Sequence, residues 1–379
     1  MQPGSYRERW LMSSREELPD GPAMIVRLPG TAGFGAAHEA LFDAVRKVTA
    51  KRVFVTGPGA APTALWAARS DADVVTWHDH LGESLAVEVT FRENDLPGPR
   101  RLIGWDTRQL VPDKFDLALV HLPRGRAVQS EIIRSAGAVL RQGGILYVVG
   151  AKNEGLRSAV EDARSIFGHM GVIARKGGYH AAVAYRPESG IDLPIPRYQA
   201  EEILALGIPT HLVSCAGVFA EGRLDAGTAA LVQTMQIARG SRVLDLGCGS
   251  GLAGLVALRA GADVVGTDVS ARATASTRRT WAANGFPDAR VHLCVGAAAL
   301  DAGTFDTVIT NPPFHRGRGT DAEVPELFVQ EAARVLKAAG ELYLVANAFL
   351  DYRSRLAENF SAVETAHEDR RFRVWWAHK

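Results

Sequence analysis

Two tandem α/β domains, each an open, mostly parallel sheet with helices on both faces, are encoded by this chain of 379 residues. Three features point there. The length allows two cores at roughly 100–200 residues per domain. The chain repeats itself once, at a spacing of 190 residues. Within each copy, short β-branched runs alternate with helical stretches, which is the pattern of parallel strands joined by crossover helices.

The repeat is carried by three segments. Arg52-Val53-Phe54-Val55-Thr56-Gly57-Pro58-Gly59 aligns with Arg242-Val243-Leu244-Asp245-Leu246-Gly247-Cys248-Gly249. Ala72-Asp73-Val74-Val75 recurs as Ala262-Asp263-Val264-Val265, and Phe115-Asp116 recurs as Phe305-Asp306. Gly144-Ile145-Leu146-Tyr147 and Gly340-Glu341-Leu342-Tyr343 stand 196 apart, so six residues are inserted in the second copy between these last two strands. A period this long marks duplicated whole domains rather than a solenoid.

The second copy reads as strands at 242–246, 263–267, 305–310 and 341–346, with helices at 252–260, 270–284 and 326–338. Pro187, Pro194 and Pro196 cannot continue a helix or a central strand, so they mark a connection. The expected division is a first domain over 1–186, a linker over 187–212 and a second domain over 213–379.

Composition narrows the function classes. Thirty-eight glycines and eighteen prolines without a period exclude collagen-like and low-complexity chains. The longest apolar stretches are strand-length, short of the ~20 residues of a membrane span. The start, MQPGSYRERW, has no apolar core behind a basic segment, so no signal peptide is expected. Cys215, Cys248 and Cys294 have neither metal-ligand nor disulfide-framework spacing. A soluble, cytoplasmic, metal-free protein is expected.

The 43 basic and 42 acidic residues leave a net charge of +1. The first 190 residues carry 24 basic and 21 acidic side chains, against 19 and 21 in the rest. A protein that grips a long duplex is usually more basic, so nucleic-acid contact must rest on local patches.

The chemistry lies in the second copy. Asp245-Leu246-Gly247-Cys248-Gly249-Ser250-Gly251 follows a strand and opens a helix. Glycines there let the backbone turn tightly and approach a ligand, and a helix N-terminus offers unbonded N–H groups. Gly249 to Gly254 also spells the G-x-G-x-x-G dinucleotide pattern, which keeps a nicotinamide enzyme open. Asp268, ending the next strand, is the acid for ribose hydroxyls in either case. The plainer role for Asp245 and Asp268 is capping of loops and helix starts.

Asn311-Pro312-Pro313-Phe314 separates these readings. The lone pair of an exocyclic amine is delocalised into its ring and attacks poorly. The Asn311 side-chain oxygen and the Pro312 carbonyl can accept its two N–H groups and favour the charge that develops, on a backbone fixed by proline. Phe314 would stack on the flat substrate. The alternative is a proline-stiffened turn with Phe314 in the core.

These motifs resemble class I S-adenosylmethionine-dependent methyltransferases of the amino-methylating kind, which have a Rossmann-like fold. Gly217-Val218-Phe219, Leu224-Asp225-x-Gly227-Thr228, Asn311 to His315 and Val345-Ala346-Asn347-Ala348-Phe349-Leu350, with the duplication, are similar to the RsmC/RlmG family of ribosomal RNA guanine 2-amino methyltransferases. The likeness spans almost the whole chain and is strongest over 215–379. It implies two tandem class I methyltransferase domains, the second catalytic and the first a degenerate copy. It also implies S-adenosylmethionine as cofactor, ribosomal RNA or the small ribosomal subunit as partner, a monomer, and methyl transfer to a guanine of 16S rather than 23S RNA.

The residues follow from the matched motifs. Asn311, Pro312 and Phe314 would be catalytic. Asp245, Gly247, Gly249, Gly251, Asp268, Gly296 and Asn311 would hold the cofactor. Phe219, Asp225, Pro313, Phe314 and His315 would meet the substrate, with Arg316 and Arg318 on the inserted loop meeting phosphates. Family members often carry Asn or Asp for the adenine amine at Gly296, so here that contact falls to backbone groups or neighbours. Another planar amine (adenine or protein glutamine), a non-catalytic RNA-binding module and an NAD-dependent oxidoreductase are the competing functions. In the first copy Val55 replaces Asp245, Ala61 replaces Gly251, and His121-Leu122-Pro123-Arg124 replaces the tetrapeptide, so neither good cofactor binding nor catalysis is expected there.

Overall fold

The structure is a computed structural model that describes residues 11–17, 23–29, 35–69, 71–112, 114–288, 290–313 and 323–379. Two compact units divide the chain, one over Leu11–Pro196 and one over Arg197–Lys379. The first runs β1 (Leu11–Glu17), β2 (Ala23–Pro29), α1 (Ala36–Val45), β3 (Arg52–Thr56), α2 (Ala61–Ala68), β4 (Asp73–His78), α3 (Leu81–Glu93), β5 (Arg100–Ile103), β6 (Phe115–His121), α4 (Arg126–Val139), β7 (Leu140–Ala151), α5 (Leu156–Phe167), β8 (Met170–Lys176) and β9 (Tyr179–Tyr185). The second begins with a hairpin, β10 (Gln199–Ala205) and β11 (Ile208–Ser214), and then repeats the pattern. Its elements are α6 (Ala226–Thr234), β12 (Arg242–Leu246), α7 (Leu252–Arg259), β13 (Asp263–Asp268), α8 (Ala271–Ala283), β14 (Arg290–Leu293), β15 (Phe305–Thr310), α9 (Glu323–Val335), β16 (Leu336–Asn347), α10 (Arg353–Ala357), β17 (Ala362–Glu368) and β18 (Phe372–His378).

Both sheets have seven strands in the same order, β5-β4-β3-β6-β7-β9-β8 and β14-β13-β12-β15-β16-β18-β17. The five strands from β5 to β7, and from β14 to β16, are parallel, while β9 and β18 run antiparallel to both neighbours. The fold is therefore the expected pair of open, mostly parallel sheets. In each, the chain leaves the central strand to one side and later returns to the other. Order thus reverses beside β3 and β12, and it is beyond the carboxyl ends there that open α/β sheets present their ligand crevice.

The repeated motifs explain how the central strands are pinned. Asp306 accepts the backbone N–H of Arg242 at 2.8 Å and an ion pair from Lys337 at 2.7 Å, and the Arg242 guanidinium lies 5.2 Å from the centre of the Phe305 ring. In the first unit Asp116 accepts from Arg52 N–H at 2.8 Å, and Arg52 lies 5.4 Å from the Phe115 ring centre. The same three residue types, Arg, Phe and Asp, hold the amino ends of both central pairs, with Arg141 taking in the first unit the ion-pair place of Lys337.

The two faces of the second sheet bury separate cores. Leu244, Val308 and Leu344 meet Val329, Ala332 and Val335 of α9. Val243, Ile309 and Val345 meet Leu231 of α6, Leu255 of α7 and Trp281 of α8. Helices on both faces follow directly from strands that are apolar on both sides.

Two local expectations shift, and a third, the place of the insertion, is narrowed. Helix α9 ends at Val335, not at 338, because Leu336 already pairs with Phe305 and Ala339 turns the chain with φ +60°. Helices α4 and α9 end at Val139 and Val335, already 196 apart, so the inserted residues lie between Thr310 and Glu323. Residues 199–212, expected as linker, lie in the β10–β11 hairpin. That hairpin is tied to α8: the Asn284 amide accepts from His211 N–H at 3.2 Å and donates to its carbonyl at 2.8 Å. Among the described residues no helix is long and apolar enough to cross a membrane.

Trp281 is the largest fully buried side chain of the second unit, and its indole N–H donates to the Gly251 carbonyl at 2.7 Å. Trp281→Ala is expected to cost about 3–5 kcal/mol in denaturant unfolding of that unit. A loss below about 1 kcal/mol would contradict this packing role.

Candidate active site

The first wall of the crevice is the loop from β12 to α7. Gly247, Gly249 and Gly251 have φ of +76°, +55° and +85°, a region side-chain-bearing residues rarely enter. Gly247 and Cys248 N–H groups donate to the Thr267 carbonyl at 2.8 and 2.9 Å, which lays the loop over the end of β13. A Cβ at Gly251 would lie 2.8 Å from both the Trp281 indole nitrogen and the Thr277 methyl. A Cβ at Gly249 would meet nothing within 4 Å. The loop is thus packed beneath and bare above.

Its two acids behave differently. Asp268 stands half-buried at the end of β13, with Oδ2 accepting from Gly249 N–H at 3.0 Å and Oδ1 from Ser270 N–H at 2.8 Å. Asp245 points inward, buried, and Oδ2 accepts from Gly254 N–H at 2.8 Å in the first turn of α7. Burial, aided by the nearby Asp268 charge, pushes its carboxyl up to about 7. The bond Asp245 makes here is the helix-start contact named above as its plainer role.

Gly296 lies on the turn after β14 with φ +54°, and a Cβ there would press the Glu331 side chain at 3.0 Å. The buried Glu331 carboxylate accepts from the adjacent Ala297 N–H at 2.9 Å. The departure to glycine at this position thus fits a left-handed turn laid over Glu331.

The opposite wall forms where β15 ends. Thr310 donates through its hydroxyl to the Leu246 carbonyl at 2.7 Å, joining β15 to β12 at the crevice. The next residue precedes proline and favours an extended conformation, and two prolines in succession end the ladder. Asn311 Nδ2 donates to Thr228 Oγ1 at 2.9 Å and to Asp225 Oδ2 at 3.2 Å. Asp225 caps α6 through Thr228 N–H at 2.9 Å. A carboxylate only accepts, so the amide must present its nitrogen to Asp225 and leave Oδ1 on the other arm. Pro312 is buried and Pro313 exposed.

The structure thus brings Asp225 and Asn311 into contact and places Asp245, Gly247, Gly249, Gly251 and Asp268 around one loop. Phe219 is exposed on a short turn, Phe219–Gly222, ahead of Asp225. Phe314, His315, Arg316 and Arg318 lie outside the described residues. Thr228 was not among the expected site residues. Its signal was present as the helix-capping spacing of Asp225 and Thr228, whose second partner is distant in sequence.

At the same edge of the first unit, residues 190 positions earlier stand in for these. His38 occupies the place of Thr228, and His121 that of Asn311, with ring centres 4.9 Å apart. His38 Nε2 lies 2.8 Å from the Gly59 carbonyl, and His121 Nε2 lies 2.7 Å from Thr63 Oγ1. Gly59 N–H is met at 2.9 Å not by a strand-end Asp but by Glu83 of α3. His78 stands in the place of Asp268, buried, with neither ring nitrogen hydrogen-bonded. Burial drives all three imidazoles towards the neutral form, His78 down to about 3, and pushes Glu83 up to about 8. Neutral side chains fill the space between the strand ends.

Comparison with known proteins agrees in both halves. The family model described as the methyltransferase small domain matches residues 31–182 and again 209–376. A curated relative from Pseudoalteromonas atlantica, ribosomal RNA small subunit methyltransferase C, is 36% identical over 265 residues, covering 69% of this chain and 76% of the relative. The protein of that name from Pseudomonas fluorescens is 35% identical over 306 residues, covering 79% and 88%. Among solved structures, the T. thermophilus 16S rRNA N2 G1207 methyltransferase (RsmC), in complex with AdoMet and guanosine, superposes with a TM-score of 0.83 at 28% identity, covering 98% of this chain and 99% of that one.

The inward acid has a consequence for pH. The folded-state pKa of Asp245 lies above its unfolded value near 4, so its contribution to stability is complete below pH ~4 and is lost as pH rises through about 7. Replacing it by Asn, which can still accept from Gly254, removes that slope. Thermal melts of wild type and Asp245→Asn from pH 5 to 8 should show the variant gaining relative stability as pH rises. A difference independent of pH would refute the buried, proton-holding carboxyl.

Proposed function

Because the chain belongs to the ribosomal RNA small subunit methyltransferase C family, built from methyltransferase small domains, we propose that its second unit methylates the exocyclic 2-amino group of a guanine in 16S ribosomal RNA, with S-adenosylmethionine as cofactor. The observation that carries this reading is the Asn311 amide, whose nitrogen is committed to Asp225 and Thr228 and whose oxygen is thereby the acceptor at the strand end. Catalysis belongs to 213–379, and the first copy, 1–186, is non-catalytic.

The crevice suits the cofactor on the protein's own geometry. The open space above Gly249 admits a close ligand approach, and Asp268 at the end of β13 offers a carboxylate for a ribose diol. Gly247 and Gly251 shape the loop, Asp245 holds the start of α7 behind it, and the Gly296 turn offers backbone groups to the adenine. S-adenosylmethionine supplies an electrophilic methyl group when bound.

The remaining work is done by side chains and backbone. Asn311 Oδ1 and the Pro312 carbonyl accept the two N–H groups of the guanine amine, hold it in place and stabilise the positive charge that grows on nitrogen. The prolines keep both acceptors fixed before the substrate arrives. The surplus proton leaves to solvent. Asp225 acts through Asn311, because its Oδ2 is already taken by Thr228 and Asn311. Phe219, Pro313, Phe314 and His315 are assigned to the base and its surroundings, and Arg316 and Arg318 to flanking phosphates.

Two measurements test the reading. With its nitrogen committed to Asp225 and Thr228 and its oxygen assigned to the substrate amine, Asn311 adds little to cofactor binding. Asn311→Ala should therefore leave cofactor affinity within about twofold and lower turnover roughly 100-fold, equivalent to about 3 kcal/mol of transition-state stabilisation. A fall of less than about fivefold would remove Asn311 from the chemistry. Calorimetry should find a single cofactor site per chain, abolished by Asp268→Ala and indifferent to His78→Ala. Mapping the methyl group on RNA then decides whether guanine is the acceptor.

A further inference from the structure

Several basic side chains of the second unit are held in ion pairs. Arg373 pairs with Glu368, Arg355 with Glu326, Arg334 with Glu331, Arg290 with Asp263 and Lys337 with Asp306. Arg223, Arg370 and Arg371 are exposed and make no ion pair with any described carboxylate. All three stand on one edge.

Their placement follows from contacts already linked to Asn311. Arg370 and Arg371 form the turn between β17 and β18, and Asp369 Oδ1 locks it by accepting from the N–H groups of Arg371 at 2.6 Å and Phe372 at 2.7 Å. The Arg371 carbonyl accepts from Ala348 N–H at 2.9 Å, which ties the turn to the carboxyl end of β16, next to β15. A Cβ at Gly227 would lie 3.1 Å from the Phe372 ring, so the Phe372 end of the turn packs on the first turn of α6. Asp225 caps that helix and holds Asn311, and Arg223 precedes Asp225 by two residues. A pinned turn and a short loop therefore carry three cations, none in an ion pair with a described carboxylate, around the mouth of the crevice.

From this we infer that Arg223, Arg370 and Arg371 form a rim that binds the RNA sugar–phosphate backbone flanking the target nucleotide. The inference rests on the function proposed above. A nucleotide whose base enters the crevice brings its two neighbouring phosphates to the edge, where these guanidinium groups can take them without first breaking an ion pair to a described carboxylate, Arg371 keeping its face on the Phe372 ring, 5.1 Å from the ring centre. The rim also offers a chain of net charge +1 a local group of three positive charges where the base enters. Arg239 is an exposed arginine at the opposite edge, beside Gly261 ahead of β12, and provides a control.

The full chain carrying Arg223→Gln, Arg370→Gln and Arg371→Gln is compared with wild type and with Arg239→Gln, using a 16S ribosomal RNA transcript and small ribosomal subunits as probes. The rim predicts unchanged cofactor affinity, RNA affinity reduced at least tenfold, and a salt dependence flattened by about two to three units of log–log slope. The loss should fall on KM, with kcat at saturating RNA within about threefold. Arg371→Gln alone should lose about one unit, which keeps the test open should the triple variant misfold. Arg→Lys at the same positions should restore most of the slope, since charge and not packing is the requirement. RNA affinity and slope equal to those of Arg239→Gln would overturn the rim. A wild type that binds RNA with the expected slope yet methylates no guanine would overturn the proposed function and leave the rim standing.

Discussion

The chemistry proposed for the second unit depends on which way round one amide sits. Asn311 could present either oxygen or nitrogen to a substrate, and the two arms differ little in size. Asp225 decides the matter, because a carboxylate cannot donate and so binds only the nitrogen. Thr228 adds a second acceptor, and both belong to the start of α6, itself packed beneath β16 and β18 through Leu231. The orientation of a single side chain is thereby tied to the burial of a helix. Small movements of α6 would be read out as loss of acceptor geometry, not merely as loss of stability.

The two units separate scaffold from site. Both keep the Arg–Phe–Asp arrangement at the amino ends of the central strands, with nearly the same distances. They diverge at the carboxyl ends. There the acceptor, its clamp and the strand-end acid of one unit are replaced in the other by three buried imidazoles. Residues that close the sheet have therefore persisted while residues that face a ligand have not. That pattern is expected when a duplicated domain keeps its fold under selection and is released from its chemistry.

Much of this was legible in the sequence because it is local or periodic. Strand positions, the glycine loop, Asp268 and the proline-stopped strand end all follow from short-range rules. What escaped is non-local. Thr228 reads as an ordinary helix cap until Asn311, 83 positions away, is brought beside it. The inward direction of Asp245 depends on where Gly254 lies once α7 forms. The hairpin at 199–214 reads as a proline-flanked connection, and its attachments to Asn284, Thr280, Arg259 and Leu252, all distant in sequence, make it part of the second unit. The early end of α9 is a tertiary effect, since helix propensity would carry it through Lys337 and Ala338.

The self-filled loop of the first unit changes how the two halves respond to their surroundings. Its Gly59 N–H and carbonyl are met by Glu83 and His38, where the matching groups of Gly249 are met by Asp268 and Thr277, so the two loops differ in the side chains that close them and in the imidazoles that fill the strand ends of the first. A ligand that binds only the native state adds RT ln(1 + [L]/Kd) to stability, about 2.7 kcal/mol at a hundredfold excess over Kd. With the cofactor in the crevice of the second unit, that half draws on this mass-action term and the first does not. Metabolic supply then tunes the folding equilibrium of one half alone. Under the function proposed above, scarcity of the cofactor removes this term from the second unit and leaves the first unit's stability unchanged.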